Sequence, residues 1–83
     1  MDSNLIINHI LTEYPKLNLK NSDIEIKHEM LKFIQDKIFI NILTKQYNIT
    51  LIDLFKILCK NYISIFKGAF LQKIKTIVDK YEY

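Results

Sequence analysis

The chain has 83 residues, of which 49 % are apolar, and a net charge of +3 at pH 7. All of its twelve basic residues are lysine, and it contains one glycine, one proline and one cysteine. This length allows one domain with a small core, and no apolar run reaches the roughly 18 residues of a membrane-spanning helix. Because the single cysteine, Cys59, cannot form an intrachain disulfide, we expect an intracellular protein, cytoplasmic or nuclear, in a reducing compartment.

The first predicted helix covers residues 3–14. Asp2 or Ser3 is expected to cap it, because a short polar side chain at this position accepts a hydrogen bond from a free backbone N–H. Pro15 ends the helix, since the residue before a proline is pushed out of the helical region. Residues 16–21 then form a connector.

A long central helix over residues 23–47 is the strongest prediction. It follows Ser22, which forms a capping-box pattern with Glu25, each side chain reaching a backbone N–H at the helix start. Apolar residues then recur at helical spacing, and residues 38–43 are apolar nearly all round, which indicates burial on several sides. Isoleucine and phenylalanine also favour strands, so a β-strand at residues 38–43 is the alternative.

Two further helices are predicted in the second half. Thr50 and Asp53 repeat the capping pattern and open a third helix. A fourth helix carries an i, i+4, i+8 apolar stripe that starts at Phe66. Gly68 lies inside this segment and weakens a helix by about 1 kcal/mol relative to alanine. Either the helix begins near Gly68, or the glycine allows close packing.

The side chains that carry chemistry form no catalytic constellation. His9 and His28 are far apart in sequence, one cysteine cannot build a thiolate zinc site, and no glycine-rich loop could cradle a phosphate. Glu25, His28 and Glu29 come nearest to a metal site, but such a trio is more often a solvated helix face. We therefore expect no enzyme, no cofactor and no metal.

The order of the segments resembles a histone fold: short helix, connector, long central helix, tight loop, short helix, and an extra C-terminal helix. Residues 48–54, with the sequence NITLIDL, are similar to the family's loop and third-helix opening, where an aspartate follows a capping threonine by three residues. The family usually has an arginine where this chain has Gln46. The resemblance covers most of the chain by pattern. It implies a small dimerising subunit of the kinetochore or DNA-repair type that associates with chromatin or DNA.

The same part of the sequence also resembles a second family. Residues 49–58 are similar to the first helix of a helix-turn-helix of the arabinose-regulator type, and residues 61–70 would then be the recognition helix. Phe55, however, lies where that motif needs a small residue. A compact helical bundle unrelated to either family is the remaining alternative. In each case we expect an all-α fold of three to four helices, which forms a single domain over residues 1–83.

The chain has more large apolar side chains than one small core can bury, so some are expected to face a partner. This predicts a non-enzymatic binding subunit that oligomerises with itself or with another protein inside a larger complex. The side chains expected at that interface are Phe39, Ile42, Phe55, Phe66, Phe70 and Ile74.

The charge favours a nucleic-acid-binding accessory protein as the alternative function. Residues 1–55 hold six lysines and seven acids, whereas residues 56–83 hold six lysines and two acids. The candidate contacts with DNA or RNA are Lys56, Lys60, Lys67, Lys73 and Lys75. If residues 56–67 form one helix, the first three lie within about 40° of each other. Because arginine is absent, such binding would be weakly specific and salt-dependent.

A membrane-surface helix over residues 63–83 is a third alternative, since it has an apolar stripe opposite lysines. Core packing explains the same stripe more economically, so no membrane partner is expected.

Overall fold

The computed structural model describes residues 2–81, and over this range it contains five α-helices, one short 3₁₀ helix and no strand. The helices are α1 (Ser3–Glu13), α2 (Asp23–Ile34), α3 (Lys37–Gln46), α4 (Leu51–Asn61) and α5 (Gly68–Asp79), with the 3₁₀ helix at Pro15–Leu17. The radius of gyration is 11.9 Å, close to the value of about 12 Å for a folded chain of this length. The predicted all-α fold is confirmed as a small helical bundle.

The central segment is two helices, so the single helix predicted over residues 23–47 is wrong. α2 ends at Ile34, and the Asp36 side chain caps α3 by accepting a hydrogen bond from the Phe39 backbone N–H (N to Oδ1, 3.1 Å). A short carboxylate competes in this way with the main-chain carbonyls for free N–H groups. The β-strand alternative for residues 38–43 is also wrong, because the whole stretch lies within α3.

Two tyrosines from other parts of the chain hydrogen-bond to residues at the break between α2 and α3. The Tyr14 hydroxyl donates to Asp36 Oδ2 at 2.5 Å, and the Tyr81 hydroxyl donates to the Ile34 carbonyl. Burial, together with the hydrogen bond to the Asp36 carboxylate, raises the pKa of Tyr14 to about 12. The break is therefore fixed by contacts with α1 and with the end of α5.

The predicted caps of the later helices can be compared directly with the structure. The capping box of α4 is confirmed: Thr50 Oγ1 accepts from the Asp53 N–H at 3.0 Å, and Asp53 Oδ2 accepts from the Thr50 N–H at 3.2 Å. α5 begins at Gly68, whose φ of +56° suits glycine. An added Cβ there meets nothing within 4 Å. Of the two alternatives, this glycine marks the helix start and does not serve close packing.

The core is built from every helix and from the connecting segments. Its largest fully buried side chains are Phe33, Ile6, Ile10, Leu17, Ile26, Met30, Ile34, Ile40, Leu43, Leu54, Leu58 and Ile65. Tyr62 ties the end of α4 to the connector, because its buried hydroxyl donates to the Leu17 carbonyl at 2.8 Å. Within the described residues, no buried side-chain polar atom lacks a hydrogen-bond partner.

Replacing Tyr62 with phenylalanine should lower the free energy of unfolding at neutral pH by about 1–2 kcal/mol, because the Leu17 carbonyl loses this donor. Burial raises the pKa of Tyr62 to about 12, above the value of about 10 for an exposed tyrosine. The neutral phenol thus stabilises the fold fully below pH 10, and this contribution disappears as the pH rises from 10 to 12.

Denaturant unfolding at pH 7 and at steps between pH 9 and 12 measures both effects. The variant should lose less stability than the wild type across the alkaline interval. An equal alkaline loss in the two proteins would contradict this role of Tyr62.

Candidate protein-binding surfaces

The structure offers no centre for metal chemistry and no membrane span in the part of the chain it describes. Between residues 2 and 81, no group of three or more His, Cys, Asp or Glu side chains could hold a metal ion. None of the helices described there is both long enough and apolar enough to cross a bilayer. The features that remain to be explained lie on the surface.

Seven large apolar side chains are exposed among the described residues: Leu5, Leu19, Ile24, Ile38, Ile42, Ile52 and Ile63. Three of them are exposed almost completely, namely Ile24 at 80 %, Ile38 at 77 % and Ile63 at 76 %. A single apolar side chain on a surface is ordinary. Groups of neighbours are more informative, and two such groups can be recognised.

The first group is the α3 ridge, formed by Ile38 and Ile42. These residues lie four positions apart and so share one side of α3. Phe39, between them in sequence, points the other way and packs edge-on against the His9 ring of α1, with centroids 5.6 Å apart. His9 Nδ1 is also within hydrogen-bond distance, 2.9 Å, of the Tyr47 hydroxyl. α1 therefore covers the inner side of α3 and leaves the ridge uncovered.

The second group is the loop-end surface, where the connector meets the end of α4. It consists of a shallow groove together with the exposed Ile63, which follows the groove residue Tyr62 in the chain. The groove is lined by Ile7, Leu11, Leu17, Asn18, Leu19, Asn61 and Tyr62. The hydrogen bond from Tyr62 to Leu17 joins its two walls. Leu19 is 60 % exposed. The groove therefore presents an apolar side chain to solvent next to the polar side chains of Asn18 and Asn61.

The structure places the six predicted interface residues in different environments. Phe39, Phe66 and Ile74 are buried in the core, so they contribute almost nothing to the surface of a single folded copy. Phe55 and Phe70 are half-buried, and each packs on Phe66 with ring centroids 5.9 Å apart. Ile42 is exposed, as part of the α3 ridge.

The five candidate nucleic-acid contacts are all exposed: Lys56, Lys60, Lys67, Lys73 and Lys75. Lys56 and Lys60 share a face of α4, but the predicted alignment of Lys67 with them is wrong, because α4 ends at Asn61 and Lys67 precedes α5. Burial raises the pKa of Cys59 on α4, and the charge of Lys75 opposes this rise.

Sequence reasoning missed Ile38, Leu19 and Ile63 as surface residues. Ile38 lies in the stretch 38–43, which is apolar nearly all round and therefore does not indicate which side of the helix faces solvent. Leu19 and Ile63 are in connecting segments, where no periodicity indicates which side chains face solvent.

Comparison with known proteins gave no match to a family model, to a curated protein or to a solved structure. The resemblance of residues 48–54 to the histone fold stays a hypothesis, and the divided central segment departs from that family's long helix. The recognition helix of the helix-turn-helix alternative is wrong, because residues 62–67 separate α4 from α5.

Replacing Ile38 or Ile63 with lysine should change the free energy of unfolding by less than about 0.5 kcal/mol, because neither side chain contributes to the core. Ile34, four residues before Ile38 in the chain, is fully buried at the end of α2. Replacing it with alanine should lower the free energy of unfolding by about 2–5 kcal/mol. Equilibrium denaturation of the three variants checks this contrast. A large loss in Ile38→Lys would show that the α3 ridge is part of the core.

Proposed function

We propose that this chain is a non-enzymatic binding subunit that associates with a protein, either a second copy or a different chain, as part of a larger complex. The exposure of Ile38, Ile42 and Ile63 carries the proposal. When a partner removes large apolar side chains from water, the complex is stabilised by about 25 cal/mol per Å² of apolar area buried.

The surroundings of the apolar groups support the same proposal. The α3 ridge lies beside the exposed polar residues Asn41 and Lys45, and the loop-end groove includes Asn18 and Asn61. An apolar centre with a polar rim is the usual composition of a protein–protein interface. Polar rim residues also keep the free subunit from aggregating before it meets its partner.

A finer form of the proposal follows from the histone-fold resemblance. The threonine-capped opening of α4 after a short loop supports a chromatin- or DNA-associated dimerising subunit. The free, half-buried thiol of Cys59 is in keeping with an intracellular, reducing compartment.

Co-purification from cells that produce the chain tests the proposal. Changing both Ile38 and Ile63 to lysine should release the partner protein, because two unpaired charges would be buried at the interface. The matched control changes Ser64 and Gln72 to lysine, which adds the same charge at exposed positions outside the α3 ridge and its rim. Quantitative mass spectrometry of the material bound to each tagged variant gives the measurement.

Loss of a stoichiometric protein, or of an untagged copy of the chain, from the isoleucine variant alone supports the binding subunit. If the wild type retains no protein in stoichiometric amount, or if the two variants lose it equally, the proposal fails.

Binding of DNA or RNA is the second candidate function. It is favoured by the exposure of all five candidate lysines and by Lys56 and Lys60, which lie four residues apart and share one face of α4. Clustered lysines bind phosphates as point charges, and the released counterions make this binding dependent on salt.

Changing Lys56, Lys60 and Lys75 together to glutamate should lower the affinity for a labelled duplex or single strand at least about tenfold at low salt. The control changes Lys16, Lys20 and Lys45 to glutamate, which alters the net charge equally on other parts of the surface. Fluorescence anisotropy at two salt concentrations measures both affinities. If the two triple variants weaken binding equally, the interaction depends on net charge and the site on α4 and α5 is wrong.

A further inference from the structure

The turn between α2 and α3, residues 34–37, is held by the Asp36 side chain and by contacts with distant residues. We call this segment the hinge turn. It contains neither glycine nor proline, the two residues that usually interrupt a helix. Besides backbone hydrogen bonds from the Asp36 and Lys37 N–H groups, its conformation depends on three hydrogen bonds made by side chains. These join the Phe39 N–H to Asp36, the Tyr14 hydroxyl to Asp36, and the Tyr81 hydroxyl to the Ile34 carbonyl.

The apolar residues on either side of the hinge turn are in register for one continuous helix. Met30, Ile34, Ile38 and Ile42 follow each other at four-residue intervals. In a continuous helix each interval advances the side chain by about 40°, so all four lie within about 120° of arc. In the present fold the first two are fully buried and the last two are exposed. The hinge turn therefore separates an apolar stripe that the sequence would otherwise keep together.

A continuous helix does not fit inside the present globule. Residues 23–46 as one helix have a length of about 36 Å, whereas the longest dimension of the molecule is 30 Å. Straightening the hinge turn must pull the α1–α2 half away from the α3–α5 half. That separation breaks the contacts between the halves, such as the hydrogen bond from Tyr62 to Leu17 and the packing of His9 on Phe39.

We propose that the hinge turn opens into a continuous helix over residues 23–46, and that two opened copies exchange their α1–α2 halves. A second copy is the partner whose α1–α2 half fits the uncovered α3–α5 half, because the contacts between the halves outside the hinge turn re-form between the chains. Ile38 and Ile42 then join the stripe of Met30 and Ile34 and are covered where the two long helices meet.

The exchange rests on the proposed function, because both require that a protein covers the α3 ridge. It names that protein as a second copy of the chain. The balance between the two forms is set at the Ile34 carbonyl and at Asp36. In the closed form the carbonyl accepts from the Tyr81 hydroxyl, and in the open helix it accepts from the Ile38 N–H, four residues on. Substitutions in the hinge turn should therefore shift the monomer–dimer equilibrium.

Three variants of the full chain test the exchange. Asp36→Ala removes the cap and the acceptor of Tyr14, and alanine is the best helix former, so it favours the open form. Lys37→Pro is placed at the first position of α3, where proline is common. It removes the hydrogen bond from the Lys37 N–H to the Gln35 carbonyl, and Asp36, with a ψ of 82°, must become more extended. In the interior of a continuous helix the same proline is strongly disfavoured. Lys37→Ala is its matched control, because it also loses the contact of Lys37 with the Tyr81 ring and keeps the N–H.

Sedimentation velocity over a range of concentrations gives the dimer dissociation constant, and circular dichroism confirms that each variant is folded. The wild type should dimerise, Asp36→Ala should lower the dissociation constant about tenfold, and Lys37→Ala should stay within about threefold of the wild type. Lys37→Pro should raise it at least about 100-fold.

Two outcomes overturn the exchange. If Lys37→Pro dimerises as well as Lys37→Ala while Ile38→Lys does not, the α3 ridge binds a second copy without exchange, and the binding-subunit proposal stands. If the wild type and Asp36→Ala are both monomeric at every concentration, exchange is wrong, and the proposed function is decided separately by the co-purification experiment.

Discussion

The Asp36 carboxylate interrupts the central segment, and the rest of the fold depends on this interruption. One oxygen accepts the Phe39 N–H and the other accepts the Tyr14 hydroxyl, so a single side chain both starts α3 and joins it to the end of α1. The new direction of α3 brings Phe39 against His9. It also decides which face of an all-round apolar helix enters the core, and it leaves Ile38 and Ile42 outside.

What could be predicted from the sequence is the part of the fold that neighbouring residues decide. Pro15 ends α1, and Thr50 with Asp53 opens α4, because both devices act within one helical turn. The hinge turn is only partly local. The Asp36 cap of the Phe39 N–H acts within one helical turn, but an aspartate also occurs on the exposed face of a continuous helix, so its residue type does not decide the break. The hinge turn also needs distant groups. Its partners, Tyr14 and Tyr81, are 22 and 47 residues from the groups they bind, and such contacts exist only once the chain has folded. The central helix was therefore extended through Asp36.

The candidate surfaces could likewise be predicted only in part, because local sequence does not decide which apolar side chains face solvent. An excess of large apolar side chains was visible in the sequence, but which of them face outward depends on the direction of α3. Phe39, Phe66 and Ile74 fill the core, whereas Ile38 and Ile63 lie in solvent. The bundle hides more of its apolar side chains than composition suggested. Among the exposed isoleucines, Ile38 and Ile42 share one side of α3, and this ridge is the surface on which the proposed association with another protein depends.

Backbone ¹³C chemical shifts of residues 33–39, measured by NMR in dilute and in concentrated samples of the wild-type chain, test the central claim most directly. The account predicts a non-helical shift at Asp36 in the dilute monomer and helical shifts through residues 34–37 in the dimer. Helical shifts across Asp36 in the monomer would show that its carboxylate does not divide the central segment. An unchanged break in the dimer would contradict the opening of the hinge turn.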